Sequence, residues 1–248
     1  MKMNTSVATQ DAKARRDMYR FLSSVYLLPP SKDFLLYIVS KETIDELSVL
    51  FGGNAVEVLR EFAATVDIDK DLLSIKQEYL DLFAVPTGRY VAPFEDVYRG
   101  KMGKDQQARG PLLGEYAIAV KKIYRSSGAK MERTCKELPT HIGVELSFMC
   151  FLCEMEVEVI ANQEGETFYD QAKREVTDII RYRKIEIKFL QEHLNEWFPQ
   201  LSKSIQINSR SQLYCGLTII IEKFLSQDTA FLLAIANSEI CKPEMKTP

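Results

Sequence analysis

Only two histidines occur in the chain, and one of them, His141, stands one helical turn ahead of Glu145 in the segment KELPTHIGVELSFM. On a helix such a pair stacks on one face, so imidazole and carboxylate could share a proton, a metal ion or a bound ligand. Zinc would need three or four ligands, and His193 lies far along the chain. The other readings are a histidine hydrogen-bonded at a helix start and a recognition group. Cys150 and Cys153 have motif spacing and would bring two sulfurs to one helix face. They could form a redox or metal pair, but the apolar flanks favour packing as small hydrophobes.

A third constellation is YVAPFEDVYRG, residues 90–100, which sets Phe94 and Tyr98 beside Glu95 and Asp96. Rings next to carboxylates suit a ligand with an apolar part and a cationic part, because a carboxylate accepts paired N–H donors from guanidinium. The plainer alternative is an aromatic anchor that pins a loop while its carboxylates face solvent. No Gly-x-Ser-x-Gly elbow occurs, and GPLLG at 110–114 lacks the Lys and Ser/Thr of a phosphate-gripping loop, so it reads as a helix entrance. Arg15 and Arg16 precede an amphipathic segment carrying Arg20 rather than an apolar export region, and read as a solvated helix face.

The elements that must position these groups are helical. Met18, Phe21, Leu22, Val25 and Tyr26 repeat at helical spacing up to Pro29 and Pro30. Shorter patterns follow at 33–39 and 43–51, the latter opened by a Thr43/Glu46 capping box and closed by Gly52 and Gly53, and Asn54 is placed to cap the next helix. Val58 to Val66 and residues 72–83 continue the helical period. Residues 84–111, rich in glycine and proline, read as a long central loop, and loops of that length inside a domain are often functional. Helices resume from Leu113 to Gly128, from a Thr140 cap to about Ile160, over 166–198 with an end at Pro199, and around 213–225. Nothing alternates with period two for long, so the expected fold class is all-α: a single helical bundle of about ten helices, with an N-terminal half (1–83), a loop or hinge (84–111) and a C-terminal half (112–248).

At 248 residues and 46% hydrophobic, the chain can bury one sizeable core. A net charge of −3 argues against nucleic acid as a partner, since phosphate binding needs a surplus of Lys and Arg. Apolar runs such as 146–153 and 214–221 fall short of the roughly 20 residues that span a bilayer, and the N-terminus has no secretory apolar region. A cytoplasmic protein without stable membrane insertion is expected. Five cysteines are read as reduced thiols rather than a disulfide framework.

Four segments, in order, resemble the TorD/DmsD/NarJ family of cytoplasmic chaperones that mature molybdoenzymes. YLDLF at 79–83 is similar to the family's Tyr-x-x-Leu-Phe, and APFEDVY at 92–98 to its Pro-Tyr-Glu-Ser-Val-Tyr loop. HIGVELSFM at 141–149 resembles its His-Ile-Gly-x-Glu-Leu-x-Phe-Met helix, and FLQEHLNEWFP at 189–199 its Phe-Leu-x-x-His-Leu-x-x-Trp-x-Pro ending. The resemblance implies an all-helical chaperone, not an enzyme, that binds the N-terminal twin-arginine signal peptide or the apo form of a molybdenum-containing oxidoreductase subunit. Export of that subunit would then wait for cofactor insertion. Carried over residue by residue, the peptide-binding set becomes Pro93, Phe94, Glu95, Asp96 and Tyr98 with Glu137 and His141. The family's Glu-Pro-x-Asp-His segment has Asp where this chain has Thr140, so Glu137, Glu145 or the loop would have to supply the charge. No nucleotide motif is present and no cofactor is expected. The resemblance also implies a monomer or a domain-swapped dimer hinged at 84–111. Two rivals remain: a metal- or thiol-dependent helical enzyme using Cys150, Cys153 and His141, and a purely structural helical adaptor.

Overall fold

A computed structural model describes residues 5–86, 88–100, 110–131, 134–162 and 169–240. Among them are eleven α-helices, two π turns and no strand, an all-α architecture. The first helix, α1 (Thr5–Leu27), packs along α8 (Ile142–Asn162), and α11 (Gln212–Ile240) packs on α4 (Gly53–Thr65) and α10 (Asn195–Asn208). The remaining helices are α2 (Lys32–Ile38), α3 (Lys41–Phe51), α5 (Ile68–Tyr79), α6 (Glu95–Arg99), α7 (Glu115–Ser126) and α9 (Tyr169–Phe189). Residues 101–109 of the expected central loop and 166–168 of the expected long helix lie outside the described residues. No described helix is long and apolar enough to cross a membrane.

Sequence period explains the packing. In α1 the buried positions Ala12, Tyr19, Leu22 and Tyr26 recur on one face, and the helix stops before two prolines that offer no backbone N–H. Tyr19, Leu22 and Tyr26 join one apolar cluster with Leu59, Leu82, Leu146, Trp197 and Leu217. Glycine sets two crossings: a Cβ on Gly143 would sit 2.5 Å from Leu27 Cγ, and one on Gly216 would sit 2.9 Å from the Leu59 backbone nitrogen. A larger residue at Gly143 would displace the Leu27 side chain, and one at Gly216 would press on the α4 backbone and force α4 from α11.

Several expected boundaries move. The start of α3 is capped by Ser40, whose hydroxyl accepts from Thr43 N–H, so Thr43 is inside the helix rather than its cap. Gly52, at φ 86°, precedes α4 in place of Asn54. Pro199 lies inside α10 instead of ending a helix. It sits in the first turns of α10, directly after a π turn at Leu190–Leu194.

The largest departure concerns Arg15. Far from lying on a solvated face, its side chain is buried, with Nε 2.5 Å from Asp228 Oδ1, Nη2 2.6 Å from Glu186 Oε2 and Nη1 3.2 Å from Glu156 Oε1. Arg183 pairs with the other Glu156 oxygen at 2.8 Å, and Tyr19 donates to Asp228 at 2.6 Å. Three carboxyls thus face two guanidinium groups. Burial, together with the charges of Glu156 and Asp228, pushes the Glu186 carboxyl well above the ordinary carboxylate range despite Arg15. The network ties α1, α8, α9 and α11 together.

Candidate functional site

The loop that follows the π turn Leu80–Ala84 is held at both ends. Val91 N–H donates to Leu82 C=O at 2.8 Å, which fixes the loop to the YLDLF segment. Farther on, Glu95 N–H donates to Thr140 C=O at 3.0 Å and Ile142 N–H to Pro93 C=O at 2.9 Å, an isolated antiparallel bridge between Phe94 and His141. The Phe94 ring meets the His141 imidazole edge-on at 5.3 Å. Two segments separated by more than 40 residues of sequence therefore share a short ladder that seats α6 against the start of α8.

His141 occupies the cap position of α8. Its Nδ1 accepts from Gly143 N–H at 3.0 Å, and its carbonyl accepts from Val144 and Glu145 N–H. The side chain is buried, and burial lowers its pKa to about 3, so the imidazole is neutral at physiological pH. Thr140, expected as the cap, instead donates its hydroxyl to Asp96 Oδ2 at 3.0 Å. The other Asp96 oxygen accepts from Ala117 N–H at 3.3 Å, closing the N-terminus of α7, which has no side-chain cap of its own. The carboxylate absent at position 140 is thus present across this hydrogen bond, at Asp96, where the resembled loop motif has serine.

Glu95 is the hub. Its carboxylate pairs with Arg99 Nη1 at 2.6 Å and with His193 Nδ1 at 2.9 Å, and it has no exposed surface. Close by, Glu145 Oε2 accepts from Trp197 Nε1–H at 2.9 Å, and the Glu145 carboxyl lies within hydrogen-bonding reach of Glu95. Burial and the charge of Glu95 hold the Glu145 carboxyl well above the carboxylate range, against the Trp197 bond and the Arg99 charge. Tyr98 stacks on Trp197 at 5.6 Å.

Of the residues expected to bind peptide, Pro93, Phe94, Glu95, Asp96, Thr140, His141 and Glu145 come together but are buried; Tyr98 is half-buried. Glu137 alone among them is exposed, with its carboxylate 3.8 Å from His141 Nε2. Separately, Leu27, Met131, Cys135, Val144, Phe148 and Phe151 bound a largely apolar groove of about 380 Å³ that Lys130 also lines. In sequence, His193 stands out only as a distant metal ligand and as part of a motif, and Arg99 does not stand out, because that both meet at Glu95 depends on the fold bringing the π turn to α6. Cys153 is buried, with Sγ 3.5 Å from Glu186, and burial raises its thiol well above the ordinary value, contrary to what a nucleophile needs. Among the described residues, no group of three or more His, Cys, Asp or Glu is placed to hold a metal ion.

The model of the nitrate reductase delta subunit family matches residues 53–203, more than half of the chain and inclusive of all four motif segments. The chain belongs to that family. This is the TorD/NarJ family of chaperones named by the resemblance. The chain is 25% identical to the perchlorate reductase assembly chaperone protein of Dechloromonas aromatica (strain RCB) over 54% of its own length and 52% of the relative's. It is 23% identical to the chaperone protein TorD of Shewanella pealeana over 57% of its length and 66% of the relative's. A second TorD, from Colwellia psychrerythraea, is 18% identical across 91% of this chain and 94% of that one. The chain thus spans about half the length of the first relative and just under two thirds of the second in those alignments.

Proposed function

We propose that the chain is a maturation chaperone for a molybdenum-containing oxidoreductase subunit, binding the subunit's N-terminal twin-arginine signal peptide, its apo form or both. It assists cofactor insertion and delays export, and works by binding rather than catalysis. The observation that carries this reading is convergence. Four segments spread over 79–199 meet at one cluster through Val91 with Leu82, Phe94 with His141, Glu95 with His193 and Glu145 with Trp197.

The buried part of that cluster supports the site by fixing its shape, since seven of the nine expected residues are buried and offer a ligand little surface. With the fold at rest, the surface offered to cargo is that of the exposed Glu137 and of the apolar groove. A signal peptide presents guanidinium groups followed by an apolar stretch, which suits a carboxylate and a trough walled by Phe148, Phe151 and Met131. Family membership and the likeness to a perchlorate reductase assembly chaperone support the class of cargo.

The test is molybdenum content of the cargo subunit, purified from cells with and without this chain. Occupancy is expected to fall without it and to return when it is resupplied. Equal occupancy in both would remove the maturation role.

A further inference from the structure

We propose that Arg99 fills a guanidinium receptor that cargo arginine enters by displacing it, an inference that rests on the signal-peptide reading above. Arg99 Nη1 donates to Glu95 Oε1 at 2.6 Å and also to the Glu192 carbonyl, and the guanidinium lies over the Tyr116 ring at 4.4 Å. A carboxylate, a carbonyl and an aromatic face together suit guanidinium better than ammonium, because the planar cation can hydrogen-bond in its plane while stacking. They come from three elements: Glu95 from α6, Glu192 from the π turn and Tyr116 from α7.

Two further observations separate this arrangement from an ordinary i,i+4 ion pair. Arg99 opens onto a cavity of about 430 Å³ that Tyr116, Gln191, Glu192 and Glu196 also line, so its place can be reached from outside. Glu95 has no exposed surface while Arg99 is seated, and the buried Glu145 carboxyl lies close enough to feel its charge. With Arg99 swung into solvent, an incoming guanidinium finds an acceptor already held by His193 and a rim bearing the exposed Glu192 and Glu196. Arg99 thus serves as an internal competitor: it keeps a buried carboxylate paired until cargo arrives and makes occupancy depend on an arginine.

The receptor and its use are tested separately. In Arg99→Gly, millimolar ethylguanidinium is expected to raise the thermal midpoint saturably, ethylammonium is not, and the rise should vanish in Arg99→Gly/Tyr116→Leu. Equal response to both cations, or to neither, overturns the receptor. Arg99→Gln, which keeps a neutral donor, is then titrated with a labelled peptide bearing paired arginines ahead of an apolar stretch. It should bind about tenfold tighter than the unaltered protein, a typical coupling, with no such gain for the paired-lysine peptide. Unchanged or weaker binding of the arginine peptide by Arg99→Gln overturns displacement and leaves the chaperone reading intact. Selective ethylguanidinium rescue with no peptide binding by either protein overturns the cargo assignment together with the signal-peptide reading.

Discussion

Replacing His141 with Asn should make the protein less sensitive to acid. The imidazole is buried and held near 3 rather than its ordinary 6.5, so the unfolded chain takes up a proton that the folded chain refuses. Stability from this group is therefore complete above pH 6.5 and is lost as pH falls toward 3. Each pH unit below 6.5 costs about 1.4 kcal/mol, so between pH 6.5 and pH 5 the histidine alone removes about 2 kcal/mol. Asn keeps an oxygen able to accept the Gly143 N–H but has no proton to gain. The raised carboxyls of Glu145 and Glu186 act with the opposite sign, favouring the fold as pH falls below their native values, and they are common to both proteins. Urea unfolding at pH 7 and pH 5 isolates the histidine. Wild type should lose about 2 kcal/mol more than His141→Asn over that interval. Equal losses would refute a neutral, buried imidazole at the head of α8.

Three other outcomes follow from the same contacts. Arg15→Met leaves Glu156, Glu186 and Asp228 with Arg183 as the remaining guanidinium of the network, and should cost about 3–5 kcal/mol in urea unfolding at pH 7. Thr140→Asp sets a second carboxylate 3 Å from Asp96 and should destabilise by roughly 2 kcal/mol, whereas Thr140→Asp with Asp96→Ser restores most of the loss; a double-mutant cycle with no coupling would contradict the exchange. Trp197→Phe removes the indole donor to Glu145 and should cost about 1–3 kcal/mol by the same unfolding assay, with little change in helix content by circular dichroism.

Local pattern carried much of this fold. The face of α1 and its end at Pro29 are readable because period and proline act within a few residues. Boundaries slipped where two polar residues competed: Ser40 and Thr43 can both cap, and only the three-dimensional path of the chain selects Ser40. Arg15 was misread although Arg15, Tyr19, Leu22 and Tyr26 share one face, because a charge reads as solvated until its partners are known. Those partners lie on α8, α9 and α11, and no local pattern links them. The segments of the candidate site were legible as motifs, but their burial was not. Glu95 and Asp96 look like free acceptors in sequence; His193, Arg99, Thr140 and the end of α7 use them in the fold.

The most direct test of the proposed function is isothermal titration of the purified protein with a synthetic twin-arginine signal peptide. Saturable one-to-one binding is expected, weakened when the paired arginines become glutamine and when Glu137→Gln removes the exposed carboxylate. No binding to the peptide, and none to the apo subunit in the same calorimeter, would contradict it.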